Sequence, residues 1–152
     1  MSRAAGEESH PFRDADEVFR SEIPSRLEER GPLIDAALER LASAGCHPDP
    51  FFDRLCLDEV LVNAILHGNG GSPEKKVTVR AFVSGKRWGF EVSDQGKGFD
   101  WERVLSRIGG PDQGGRSGRG IALVVATGAE VHFLGGGARV VVVRSCEVPG
   151  RE

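Results

Sequence analysis

Five short segments with the residue pattern of β-strands constrain the fold of this chain more than any other feature. They are EVFRSEIPS (17–25), KVTVRAFVS (76–84), RWGFEVSD (87–94), EVHFL (130–134) and ARVVVVRS (138–145). The second and third alternate in period two and are joined by Ser84-Gly85-Lys86, which is a good signal for a β-hairpin. The last two flank Gly135-Gly136-Gly137 and predict a closing hairpin.

Longer segments with the spacing of amphipathic helices lie between these strands. LEERGPLIDAALERLASAG (27–45) repeats its apolar residues at helical spacing and stops at a glycine. A second helix runs from about residue 50 to residue 67, where GNGGSPEK breaks it, and IALVVATGA (121–129) predicts a third. The order β α α β β, loop, α β β predicts a two-layer α/β sandwich, with a mostly antiparallel sheet and helices on one face.

At 152 residues the chain fits one domain by size. Residues 1–16 are polar and poor in apolar side chains, so we expect a flexible N-terminal tail there. The predicted folded domain covers residues 17–146, and residues 147–152 form a C-terminal tail. Residues 96–120 are rich in glycine, and a loop of this length in a compact domain is usually functional or mobile.

Composition excludes several classes of function. The net charge of −3 argues against a non-specific nucleic-acid binder, which relies on phosphate neutralisation. The N-terminus has no apolar core of a signal peptide, and no apolar run approaches the roughly 18 residues needed to span a bilayer. The three cysteines lack a zinc-type spacing and are predicted to be reduced thiols. We therefore expect a soluble cytoplasmic protein that contacts neither nucleic acid nor membrane.

The segment DEVLVNAILHGNG (58–70) bears most directly on function. In a helix, Glu59, Asn63 and His67 stand at i, i+4 and i+8 and form one polar stripe on an otherwise apolar rod. Each has an ordinary alternative: Asn63 as a surface or cap residue, Glu59 on a solvated face, and His67 at a helix end favoured by the dipole. The stripe indicates a functional site only when it is considered together with the glycine motifs that follow.

The first glycine motif, DQGKG (94–98), follows directly on a predicted strand. An acidic residue at this place, Asp94, can accept a hydrogen bond from an exocyclic amine. Gly96 and Gly98 let the backbone pass close to a flat ring, because glycine has no side chain. This chemistry would hold a purine, although such a motif by itself is more often a plain turn.

The second glycine motif, SGRG (117–120), opens the predicted third helix. Bare N–H groups at Gly118 and Gly120, together with the helix dipole, suit a polyphosphate. Arg119 either contacts phosphate or keeps the loop soluble, and the same two readings apply to Arg116. His67 either contacts phosphate and the loop above it or is only a helix-end residue.

A polyphosphate needs a cation, and Mg²⁺ takes oxygen ligands. The amide oxygen of Asn63, on a nearby helix, is therefore the candidate single protein ligand, with phosphates and waters completing the shell. Glu59, one helical turn earlier, would point towards the terminal phosphate as a base. The order and spacing of the stripe and the two glycine motifs favour a nucleotide site over three unrelated accidents.

These residues resemble a known family. E-x-x-x-N in EVLVNAILHGN, D-x-G-x-G in DQGKG and G-x-G in SGRGIAL look like the N, G1 and G2 boxes of the GHKL ATPases, and most of all like the bacterial anti-sigma-factor serine kinases. The resemblance covers roughly residues 17–146 and implies a Bergerat ATP-binding fold. It implies ATP and Mg²⁺ as cofactors, with Asn63 on Mg²⁺, Asp94 on the adenine amine and residues 99–117 as a lid over ATP.

The resemblance also implies a function. Glu59 would be the general base of a protein serine/threonine kinase that phosphorylates a STAS-domain anti-sigma antagonist, that otherwise sequesters a sigma factor, and that forms a homodimer. A second hypothesis is a nucleotide-dependent binding switch without kinase activity; Glu59 favours the first, since a switch needs no base. The chain departs from the family at Ala138, where relatives carry a Thr whose hydroxyl helps to complete the adenine site through water.

Overall fold

The structure is a computed structural model that describes residues 2–3, 10–97 and 128–145, and of residues 2–3 only the backbone pairing. Residues 98–127 lie outside the described residues. The predicted lid, the SGRG motif and nearly all of the predicted third helix fall in that range. Of the two glycines in the DQGKG motif, Gly96 is described and Gly98 is not.

The described residues form one six-stranded sheet. Its strands are β1 (Ser2–Arg3), β2 (Asp16–Pro24), β3 (Lys76–Ser84), β4 (Arg87–Ser93), β5 (Glu130–Leu134) and β6 (Arg139–Ser145). Their order across the sheet is β1-β5-β6-β4-β3-β2, and neighbours are antiparallel except for β1, which pairs parallel with β5. The five strands β2 to β6 are those that the sequence predicts. Gly85, with φ of +61°, makes the tight turn between β3 and β4.

Two helices pack on one face of this sheet. Helix α1 (Arg30–Ser43) follows a 3-10 turn at Leu27–Glu29, and helix α2 (Phe52–Val62) continues into a π-helix at Asn63–Gly68. Pro32 lies in the first turn of α1, where its missing N–H breaks no intrahelical bond. Among the described residues, no helix has both the length and the apolar character to cross a membrane.

The main core fills the space between the helices and the sheet. Alternate residues of the central strands point into it, as the period of two predicts. The core includes Leu33, Ile34, Ala37 and Leu41 of α1; Leu57, Val60 and Leu61 of α2; Val77, Val79 and Ala81 of β3; and Trp88, Phe90 and Val92 of β4. This arrangement confirms the predicted α/β sandwich with helices on one face.

A second, smaller cluster lies on the opposite, outer face of the sheet. It contains the buried residues Phe12, Phe82, Leu134, Val141 and Val143. Phe12 stacks on Phe82 with ring centroids 5.3 Å apart. Phe12 and His10, which fall within the predicted tail, are only 2% and 7% exposed and are packed against the sheet, whereas Arg13 and Asp14 are exposed.

The oxidation states of two cysteines are defined. Cys56 is a buried free thiol, in line with the prediction. Cys46 is disulfide-bonded, so the prediction of three reduced thiols is wrong at this residue. Disulfide pairing depends on which residues the fold brings within a few ångströms of each other, and spacing along the sequence does not reveal that.

Candidate nucleotide-binding site

Helix α2 and its π-helical end carry the predicted polar stripe. Glu59 is half-buried near the end of α2, and Asn63 follows one turn later and is 4% exposed. Within the described part of the chain, Nδ2 of Asn63 has no hydrogen-bond partner. An unsatisfied buried polar atom costs about 1–3 kcal/mol, so in a native fold it marks a position where something else bonds.

The stripe ends in a π-helix, which the sequence does not predict. The N–H of Asn69 donates to the carbonyl of Ala64 at 2.8 Å, so the turn is one residue wider than an α-helical turn. Short π segments are rare overall, but those that occur are often found at functional sites. His67 lies in this segment and is exposed, whereas Asn63 is buried. The regular spacing in sequence therefore does not give the side chains of the stripe a common environment.

Asp94 directly follows β4 and is fixed by its backbone. Its N–H donates to the carbonyl of Ala138 at 2.9 Å, and its Oδ1 accepts a hydrogen bond from the N–H of Gly96 at 2.8 Å. Burial raises the pKa of Asp94 above its usual range, and the Gly96 N–H and the positive charge of Lys75 counter this only in part. The carboxylate is thus a partly desolvated acceptor held at the end of a strand.

The end of the π-helix and the loop after β4 are in contact, and glycine is required on both sides. A Cβ on Gly68 would overlap Oδ2 of Asp94, and a Cβ on Gly96 would overlap the carbonyl oxygen of Gly68. Any other residue at either position would displace the carboxylate or the helix end. The sequence predicts that Gly96 lets the backbone pass close to a flat ring, and that role stays a prediction; the close neighbour that the structure shows is the carbonyl of Gly68.

Asn63 and Asp94 line the same small pocket. Its remaining walls are Val60, Ala64, Gly68, Val92 and Val140. The described residues enclose about 10 Å³ there, which is space for about one water molecule. A pocket of this size, lined by apolar side chains, one amide and one carboxylate, has room for a single small polar group such as the amine at the edge of a flat ring. The described residues thus form the base of a site whose predicted phosphate-binding part lies in residues 98–127.

Asn63 fits the predicted role of a ligand to Mg²⁺. A 180° rotation of the side-chain amide exchanges the positions of Nδ2 and Oδ1. Because Nδ2 of Asn63 has no partner among the described residues, this rotation can place Oδ1 at the position that Nδ2 now occupies. Mg²⁺ keeps several waters and needs only one or two protein oxygens beside phosphates, so one amide oxygen is sufficient. Glu59 stands one turn earlier on the same face, at a Cβ separation of about 5–6 Å in helix geometry.

The structure brings Asn63 and Asp94 together at one cleft, and Gly96 lies beside it, bonded to Asp94. Glu59 is a turn away from Asn63, and His67 is at the exposed end of the helix. Four predicted site residues lie outside the described residues, and their roles stay predictions: Gly98, Gly118, Arg119 and Gly120. Gly68 and Asn69 were missed by the sequence reasoning. Both belong to GNGGSPEK, which was interpreted only as a helix break; a signal for Asn69 is that an amide directly after a helix end can bond backbone groups nearby.

The fold is thus an α/β domain with helices on one face of a mostly antiparallel sheet, and a strand-end carboxylate and a helix amide line one pocket. A family model of the histidine kinase-like ATPase domain matches residues 23–144, most of the chain. The chain belongs to this family, which confirms the predicted GHKL relationship. No curated protein matches the chain.

Proposed function

We propose that this protein is a serine kinase that uses ATP and Mg²⁺ to phosphorylate a STAS-domain antagonist, and that it otherwise binds a sigma factor. The observation that carries the proposal is one cleft shared by a desolvated carboxylate, Asp94, and a buried amide, Asn63. Family membership supports ATP as the ligand. The proposal includes a homodimer in the cytoplasm, as in the serine kinases that the sequence resembles.

Each residue of the cleft has its own task in this reaction. Asp94 accepts a hydrogen bond from the adenine amine, and Oδ1 of Asn63 binds Mg²⁺. Bound ATP supplies the phosphoryl group. Glu59 takes the proton of the substrate serine, whose oxygen then bonds to the γ-phosphorus as the bond to the β–γ bridging oxygen breaks and ADP leaves. The half-buried position of Glu59, one turn before Asn63, supports this assignment.

Nucleotide binding is tested with Asp94→Asn. The variant replaces a charged acceptor by an amide, and we expect a loss of about 1.5–3 kcal/mol, roughly ten- to a hundred-fold in ATP affinity. GTP should bind the wild type poorly, because its ring carries an acceptor where adenine has a donor. Isothermal titration calorimetry measures both. Equal ATP affinity in wild type and variant would remove Asp94 from the site.

Phosphoryl transfer is tested with Glu59→Gln, which keeps the shape of the side chain and removes the base. A carboxylate within reach of the hydroxyl contributes ~10²–10⁴ in rate, so we expect at least about a hundred-fold slower transfer to a STAS protein captured from lysate. ATP·Mg²⁺ binding and partner binding should be nearly unchanged. Transfer at the normal rate contradicts the role of Glu59; no transfer by the wild type to any captured STAS protein favours the nucleotide-dependent switch.

A further inference from the structure

Asn69 is a buried polar residue that neither the sequence motifs nor the proposed reaction uses. It follows the π-helix directly and is 2% exposed. Its Oδ1 accepts a hydrogen bond from the N–H of Gln95 at 2.7 Å. Its Nδ2 donates to Oγ of Ser25 at 2.9 Å and to the carbonyl of Lys76 at 3.0 Å. Both amide hydrogens and the amide oxygen therefore have partners, in contrast to the amide of Asn63.

The bonds of Asn69 close a ring around the loop after β4. The N–H of Lys76 donates to Oε1 of Gln95 at 2.6 Å, so Asn69, Lys76 and Gln95 each bond the other two. Ser25 extends the ring on the β2 side, because its hydroxyl donates to the carbonyl of Lys75 at 2.7 Å. Gln95 is thus held through both its backbone and its side chain.

This ring fixes the peptide that carries the Asp94 carboxylate. On one side the N–H of Asp94 bonds the carbonyl of Ala138, and on the other the N–H of Gln95 bonds Asn69. The Asp94 carboxylate also rests against Gly68, the residue before Asn69. These contacts therefore join the end of the π-helix to the end of β4 at Asp94.

We propose that Asn69 is a positioning residue that sets the selectivity of the site for adenine by holding Asp94 in place. The inference rests on the proposed ATP site. Asn69 is not one of the described residues that line the pocket. It acts through Gln95, the residue after the one whose carboxylate accepts from the amine. Without Asn69, the loop after β4 loses this restraint. The Asp94 carboxylate is then no longer held in the position where an exocyclic amine can donate to it.

The test compares two truncations in the full chain. Asn69→Ala removes the bond to Gln95, whereas Ser25→Ala removes a partner of Nδ2 and leaves that bond intact. Both should lower stability in urea unfolding. Only Asn69→Ala should lower ATP affinity about ten-fold, and it should lower the ratio of ATP to GTP affinity by a similar factor, because guanine has a carbonyl oxygen where adenine has the amine that donates to Asp94. Should Asn69→Ala not fold, Asn69→Ser, too short to reach Gln95, carries the same expectation.

Asp94→Asn in the same titrations separates this inference from the function on which it rests. If Asp94→Asn keeps full ATP affinity, the proposed nucleotide site itself fails. If Asp94→Asn weakens ATP but Asn69→Ala leaves the ATP-to-GTP ratio unchanged, or if Ser25→Ala lowers that ratio equally, Asn69 only supports the fold and the positioning role is overturned. A selective loss in Asn69→Ala alone supports it.

Discussion

Glu91 and Asp94 lie three residues apart along the chain, one within β4 and one just beyond it, yet they are held in opposite ways. Glu91 faces the outer side of the sheet and is 2% exposed. Burial works to raise the pKa of Glu91, but hydrogen bonds from His10 and Ser93 and the charge of Arg80 outweigh it, and the pKa lies below its usual range. Asp94 is less buried, and its pKa is raised.

The partners decide this difference, not the depth of burial. Glu91 accepts from His10 at 2.7 Å, from Ser93 at 2.7 Å and from Arg80 at 3.2 Å. His10 is itself fixed, since its Nδ1 accepts the N–H of Phe12 at 3.0 Å. This network is complete within the protein, so it stabilises the fold. The cleft around Asp94 is incomplete within the described residues, because Nδ2 of Asn63 has no hydrogen-bond partner among them.

The largest expected effect is on stability, from the complete network. Glu91→Ala leaves the buried His10 without its acceptor and removes one of the two carboxylates that pair with the half-buried Arg80, so we expect a loss of about 2–3 kcal/mol in the free energy of unfolding. Glu91→Gln, which keeps one acceptor, should lie between this variant and wild type. Asp94→Asn should cost less than about 1 kcal/mol, because it removes a charge that burial already disfavours. Urea unfolding checks all three; a larger cost for Asp94→Asn than for Glu91→Ala would break the comparison.

A smaller effect is expected at the incomplete cleft, where it concerns the metal. Asn63→Ala should make ATP binding nearly independent of Mg²⁺, so the ratio of the dissociation constants without and with Mg²⁺ falls towards one. Ser93→Ala, which removes a bond of the complete network, is the matched control: it should lose about 1 kcal/mol of stability and keep the Mg²⁺ effect. Parallel Mg²⁺ dependence in Asn63→Ala and wild type would leave Asn63 as a helix-face residue only.

The smallest expected effect is on the pH dependence of the free energy of unfolding, to which Asp94 and Glu91 contribute with opposite signs. Because the folded pKa of Asp94 is raised, its contribution is present at low pH and is lost as pH rises from about 4, the unfolded value, through the folded pKa. Because the folded pKa of Glu91 is lowered, its contribution is present above about pH 4 and is lost as pH falls through the folded pKa. Unfolding of wild type, Asp94→Asn and Glu91→Gln across pH measures both; slopes of the same sign would contradict the comparison.

The sequence predicts the elements whose pattern is local. The five strands β2 to β6 and the helices α1 and α2 each repeat apolar residues with their own period, and the structure contains all of them. The stripe of Glu59 and Asn63 and the DQGKG motif also predict the cleft, since short motifs fix which residues a helix face and a strand end present.

Contacts between distant parts of the chain were not predicted. His10 bonds a residue 81 positions away, and nothing in the polar N-terminal segment indicates that. The π-helix keeps the same apolar pattern as an α-helix, so periodicity does not distinguish them. From the sequence alone, Asn69 looks like an ordinary turn residue. Its three partners, Ser25, Lys76 and Gln95, lie elsewhere in the chain, so the residues beside Asn69 do not indicate these bonds.

The π-helix at Asn63–Gly68 has a consequence for protein engineering. Its turn encloses one residue more than an α-helical turn, so deletion of the exposed Leu66 would allow a regular helix with better hydrogen-bond geometry. Because the deletion would turn the bond from Asn69 to Ala64 into an α-helical one, Gly68 would keep nearly the same direction relative to Asn63. Winding the full-length segment as an α-helix would instead rotate Gly68 by about 100° relative to Asn63, since each residue of an α-helix turns by that angle. Substitutions that force an α-helical turn at full length should therefore separate Gly68 from Asp94, whereas the shortened helix should keep the two residues in contact.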